Sequence, residues 1–158
     1  MSDHAAREIL VAGAAALAHG DALEPGLHLL LDAIAGHLDV ESAAILIPGA
    51  GRDRLAIAAS FGLPDSAVAG LAAAVGNPGH PIARTFATPV ASFDVLPTAP
   101  GGPALRTHVP LVVRRDDVEV VLGVLALAHD RPIDPGMHPV LLAGADLAAA
   151  AIERSQAL

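Results

Sequence analysis

The chain has 158 residues, a net charge of −8, nine Arg without a single Lys, and no Cys. Its length suits one core and is short for two domains. Scattered Arg in an acidic chain exclude a nucleic-acid footprint, and the missing Cys excludes disulfides, thiolate metal sites and cysteine nucleophiles.

Hydrophobic residues make up 53%, much of it Ala, and the only aromatic rings besides His are three Phe. The core is therefore built from small and branched aliphatics. No basic segment precedes an apolar run, and no uninterrupted apolar stretch reaches about 18 residues. The expectation is a soluble, cytoplasmic domain with no membrane partner.

In chain order, residues 3–19 read as a helix, with Asp3 as N-cap and Ile9, Leu10, Gly13, Ala16 and Leu17 on one stripe. A second helix starts near Glu24 with Pro25 in its first turn. Leu27, Leu30, Leu31, Ile34 and Leu38 recur at the spacing of a buried helical face. Residues 43–47 are a strand ended by a Pro-Gly turn, and residues 55–61 are its hairpin partner. Pro64-Asp65-Ser66 opens a third helix, with Val68, Leu71, Ala72 and Val75 on its stripe and Gly76 closing it. Residues 81–87 form a short helix, and residues 89–94 a strand near an edge, because Pro89 donates no hydrogen bond. Residues 95–104 read VLPTAPGGPA, a loop expected to be the most mobile internal segment.

The strongest pattern spans residues 106–130. Two Val- and Leu-rich runs flank Arg114, Arg115, Asp116 and Asp117, which reads as a hairpin with a charged tip. The second run has few polar positions, as in a central strand covered on both faces. Gly123 within it predicts a bulge or a close approach. Asp134 then caps a last helix, with Pro139 in its first turn and Leu141, Ala145, Ala148 and Ile152 on its inner face. The fold class is α+β: a central antiparallel sheet of about five to six strands, with N- and C-terminal helices packed on one face.

Three segments resemble a GAF domain, a sensory relative of PAS domains. The first is Gly79-His80-Pro81-Ile82-Ala83 with Thr88-Pro89-Val90 and Asp94. The second is His108-Val109-Pro110-Leu111-Val112 with residues 121–127, VLGVLAL. The third is Leu141-Leu142 through Ala148 to Ala151-Ile152-Glu153-Arg154. The resemblance covers the chain from about Ala22. It implies a sheet with terminal helices on one face and a small-molecule pocket on the other, in a domain that regulates an attached output domain. Bilin-attaching and methionine-sulfoxide-reducing members use cysteines, which this chain lacks. The Asn-Lys-Phe-Asp-Glu motif of mammalian cyclic-nucleotide-binding members is also missing, since there is no Lys and only Asn77.

The resemblance puts His80 and His108 on the pocket side, with Phe86, Phe93 and Asp94 beside them. Arg84 and Arg106 flank the same region, and a guanidinium fork suits a carboxylate or phosphate. These seven residues are the expected ligand site. His4, His19, His28 and His37 belong to helix ends or polar helix sides. The eight His show no HExxH and no close i, i+4 pair, so no metal site is expected and no cofactor can be named. Without a nucleophile elbow, P-loop or dinucleotide fingerprint, the chain is not expected to be an enzyme.

The expected function is a sensory or regulatory domain that binds a small molecule and signals through its terminal helices. The alternative is a ligand-free structural and dimerisation module. Residues 1–20 are assigned to a dimerisation or signalling helix and residues 21–158 to the domain proper. A homodimer is expected through small-residue stripes: Gly13, Ala14, Ala16 and Ala18 in the first helix, Ala145, Ala148, Ala149 and Ile152 in the last.

Overall fold

Alternation along the strands decides which layer each side chain joins, and every described strand is covered on at least one face. The structure is a computed structural model, described over residues 3–18, 23–48, 55–74, 79–96 and 104–156. Among these, β1 (Ser42–Pro48), β2 (Leu55–Phe61), β3 (Ser92–Val95), β4 (Leu105–Arg115) and β5 (Val118–His129) form one antiparallel sheet, in the order β2-β1-β5-β4-β3. The long hairpin β4–β5 puts β5 at the centre, as its apolar run predicts. β3 is an edge strand, but it begins at Ser92 rather than at Pro89, which cannot donate to the ladder.

Two helices, α2 (Leu23–Leu38) and α5 (His138–Gln156), cover one face, and α1 (Asp3–Ala18) packs against both of them. Leu27, Leu30, Leu31 and Ile34 of α2 are fully buried there, as are Leu141 and Ile152 of α5. They meet Ile45 of β1, Val109 and Leu111 of β4, and Leu125 and Leu127 of β5. Each such side chain stabilises the fold by roughly 1.5–3 kcal/mol. The other face carries α3 (Asp65–Ala74) and α4 (Pro81–Ala87), over a smaller cluster of Ala44, Leu46, Leu55, Ile82 and Val124. With its preceding turn, α5 is long and apolar enough to cross a membrane by length and composition. Its inner side is instead core: Leu141, Ala145, Ala148, Ala149 and Ile152 are all buried.

α1 folds back onto its own domain. Ile9 is fully buried in the main core, facing Gly144 of α5 and Leu30 of α2. Leu10 and Val11 remain exposed on the outer side. The Asp3 cap, the Gly13, Ala16, Leu17, Ala18 and Ala72 side chains, the Val75 and Gly76 positions and most of the 95–104 loop lie outside what is described.

Two irregularities keep the core faces in phase. Between Leu111 and Val112 of β4 the partner jumps from Gly123 to Val121, so Leu122 is an extra residue. That bulge lets Val120 and Leu122 reach the helix-side core along with Leu125 and Leu127. At the hairpin tip, Asp116 and Asp117 have φ of 53° and 64°, the left-handed pair of a type I′ turn, whose twist matches the strands it joins. Beside the tip, Arg115 Nε donates to Glu153 Oε2 of α5 at 2.9 Å.

Candidate functional site

The α4 face owes its polarity to β4, whose residues alternate across the sheet. Val109 and Leu111 enter the helix-side core, so His108 and Pro110 face α4. His108 is 3% exposed, and its Nδ1 is buried with no hydrogen-bond partner among the described residues. A buried polar atom without a partner is uncommon and marks a place where something is missing or held ready. Burial first, then the charges of His80 and Arg106, push its pKa down to about 4. The ring is therefore neutral at physiological pH.

Opposite it lies the start of α4. Pro81 fits the first helical position because its missing N–H is not needed there. His80 caps the helix: its Nδ1 accepts from the Ile82 N–H at 3.2 Å, so a neutral His80 carries its proton on Nε2. Burial and the Arg84 charge lower its pKa. Thr85 is buried and spends its hydroxyl on the Pro81 carbonyl at 2.9 Å. Ile82 is buried and Phe86 half-buried against the small cluster, while Arg84 is exposed. Ser92 of β3 pairs with His108 across the ladder and so shares its face.

Arg106, two residues before His108 on β4, has a second set of neighbours. Its charge acts on Glu41 and Asp130 as well as on His108. Glu41 and Asp130 hydrogen-bond each other, which raises the Glu41 pKa and lowers that of Asp130.

The sheet divides the residues that sequence reasoning grouped together. His80, Arg84, Phe86 and His108 gather on the α4 face, with Arg106 beside them. Phe93 does not: its ring stacks on His138 at the start of α5, centroids 3.8 Å apart and 13° from parallel, against the helix-side core. Strand alternation sends Phe93 through the sheet to the side opposite Ser92. Asp94 is spent on structure. At φ 56° it interrupts the β3 ladder, and its Oδ1 accepts from the Ile133 N–H at 2.9 Å.

Sequence reasoning passes over the buried network that Asp94 joins. The Asp94 N–H donates to Thr107 Oγ1 at 3.2 Å, and Thr107 Oγ1 lies 2.8 Å from His129 Nε2. His129 Nδ1 is 2.7 Å from the Arg131 carbonyl. A carbonyl only accepts, so Nδ1 carries the proton, Nε2 accepts from the Thr107 hydroxyl, and that oxygen is left to accept from Asp94. Every member is satisfied, which marks the network as a clamp on the sheet edge. The only hint in the sequence is a His at the end of a buried strand. The His expected at the surface are half right: His4 and His28 are exposed, but His37 is half-buried and meets the His4 ring edge-on at 6.0 Å. His19 lies outside the described residues. Among the described residues no cluster of three or more metal-ligating side chains occurs.

No protein-family model and no curated protein matches the chain. Solved structures do. The chain is similar to the GAF domain of a phosphoenolpyruvate-protein phosphotransferase from Acinetobacter, at TM-score 0.76 and 17% identity, covering 100% of this chain and 98% of that one. It is also similar to the free methionine-R-sulfoxide reductase of Neisseria meningitidis, solved in complex with its substrate, at TM-score 0.75 and 16% identity, with 100% and 96% covered. The second GAF domain of DevS from Mycobacterium smegmatis follows at TM-score 0.65 and 20% identity, covering 82% and 92%. The chain has the GAF fold, over its full length.

Proposed function

We propose that this GAF-fold chain is a sensory or regulatory domain that binds a small molecule on its α4 face, between α4 and strands β4 and β5. The observation that carries this reading is the buried, unpartnered Nδ1 of His108, set opposite His80 and beside the apolar Ile82 and Phe86. The fold is shared with GAF domains of a phosphotransferase and of DevS, which supports a regulatory role. One neighbour is a reductase, but this chain has no Cys for thiol chemistry, and among the described residues no acidic group acts on His80 or His108. An unbiased small-molecule screen followed by amide NMR tests the reading. Binders are expected to perturb α4, His108 and Ser92 first; binders that cluster elsewhere, or a screen with none, would remove it.

The signalling half of the proposal runs through α1 and α5. The last-helix stripe of Ala145, Ala148, Ala149 and Ile152 is used up inside the subunit, so it offers no surface to a second copy. The outer side of α1, where Leu10 is 36% and Val11 59% exposed, offers an apolar surface to a homodimer. We expect sedimentation at micromolar concentration to show a dimer that Val11→Glu converts to a folded monomer. A wild-type monomer would retire this part, and with it the alternative of a ligand-free dimerisation module.

A further inference from the structure

We propose that the α4 face takes a small monocarboxylate, its carboxylate seated between the His108 and His80 rings and its short apolar part against Ile82 and Phe86, and that it enters together with a proton. This rests on the reading of that face as the ligand site. It goes further by fixing the ligand's charge and the way pH controls its affinity.

Three observations converge on a single negative charge. First, His108 Nδ1 is buried and unpartnered, and the His80 proton sits on Nε2 because Nδ1 is engaged with the Ile82 N–H. His108 Nδ1 has no partner among the described residues, and Nε2 is the His80 nitrogen that carries a proton to donate. Second, the charged groups acting on this pair are cationic. Arg106 from β4 acts on His108, and Arg84 from α4 acts on His80. The neighbours of His108 on the adjacent strands, Ser92 of β3 and Ala126 of β5, do not titrate. No acidic group contributes to either ring among the described residues, so an anion fills an electrostatic need that water meets poorly in a buried site. Third, the surplus is small. Arg106 shares its charge with Glu41 and Asp130, and Arg84 is exposed to solvent, which suits one negative charge better than a phosphate dianion. The apolar floor of Ile82 and Phe86, continuous with Leu46, Leu55 and Val124, sets the rest of the ligand as a short aliphatic body.

Proton uptake follows from the same geometry. A carboxylate brought beside a neutral, desolvated imidazole favours its charged form and raises its pKa. Affinity then increases as pH falls, by at most about tenfold per pH unit for each proton taken up.

The test uses the full chain with its His ring carbons labelled, titrated with butyrate, its neutral isostere butyramide, or inorganic phosphate, at about pH 6 and pH 8. Butyrate is expected to move the His108 ring signals toward their protonated positions, to perturb the His80 ring signals, and to bind severalfold more tightly at the lower pH. Butyramide should leave both rings unmoved. His108→Gln should abolish the His80 response, and Arg84→Gln should weaken it severalfold in a chain that is otherwise folded. An equal response to butyramide overturns the charge assignment, and a stronger response to phosphate overturns the single charge. Silence of both rings up to about 50 mM butyrate, well into the range of weak millimolar binding, overturns the proposal altogether. A screening hit that perturbs α4 and β4 while butyrate does nothing leaves the sensory reading intact and removes only the carboxylate.

Discussion

Replacing Gly123 by Ala lowers the stability of the domain by about 3 kcal/mol, at the top of the range for forcing an extra methylene into a packed core. The reason is space and not backbone conformation. A Cβ at Gly123 would stand 2.3 Å from the Leu46 carbonyl oxygen of β1, with Ile47 Cγ2 at 3.1 Å and Leu111 Cδ1 at 3.3 Å. Side chains can turn away; the Leu46 carbonyl belongs to the neighbouring central strand and cannot. β1 and β5 must separate where their pairing ends at Leu46 and Val124, beside the Leu122 bulge. For a domain of this size such a loss lowers Tm by roughly 6–12 °C. Gly123→Val should be worse, and Gly136→Ala, where an added Cβ meets only Asp134 side-chain atoms at 3.4 Å and beyond, is the mild control. A thermal melt of Gly123→Ala within a degree or two of wild type would contradict the close approach.

Acid should cost the domain about 3 kcal/mol through one residue. His108 is held neutral in the folded state, with its pKa at about 4 against the ordinary 6.5. Between those values the unfolded chain binds a proton that the folded chain refuses. Stability therefore rises with pH across this window and is lost as pH falls from about 6.5 toward about 4. Each pH unit of difference corresponds to about 1.4 kcal/mol, and the shift is about two and a half units. His80 shifts in the same direction and adds to the slope. Glu41 and Asp130 are exposed and shift in opposite directions, so they act against each other. Burial raises Asp146, which favours the folded state at the acid end. The His108 share is thus read as a difference. Denaturant melts from pH 7 to pH 4 should fall steeply for wild type and much less for His108→Gln. Parallel slopes for the two would show that His108 takes up its proton freely and is not buried as described.

A ligand that brings a negative charge to His108 would oppose this acid loss, since it raises the folded-state pKa that causes it. The stability profile and the binding profile are therefore two readings of one group.

What the sequence determines by itself is set by local rules. The α2 stripe from Leu27 to Ile34, the Asp116-Asp117 turn, the Val-rich run of β5 and the inner face of α5 each follow from periodicity or turn chemistry, and the structure keeps all four. Gly123 is legible too, because a glycine in a strand of branched aliphatics needs a reason. The order of elements was enough to reach an α+β sheet with helices at both ends.

The tertiary structure alone decides which face each polar residue serves. Phe93 and Asp94 are neighbours of Ser92 in the chain, but a strand alternates, and the positive φ of Asp94 breaks that alternation once more. Ser92 stays with His108, Phe93 crosses to His138, and Asp94 turns to Ile133. No spacing rule contains that branching, since it depends on what α5 and β4 present at the sheet edge. The Thr107–His129 clamp is hidden for the same reason: its members are 22 residues apart and meet only when β4 and β5 pair. Ile9 is likewise an ordinary apolar residue on an Ala-rich helix until α2 and α5 close over it. Burial on one side of a helix can be read from its period, but whether the layer that buries it comes from the same subunit is fixed only by how the helices pack.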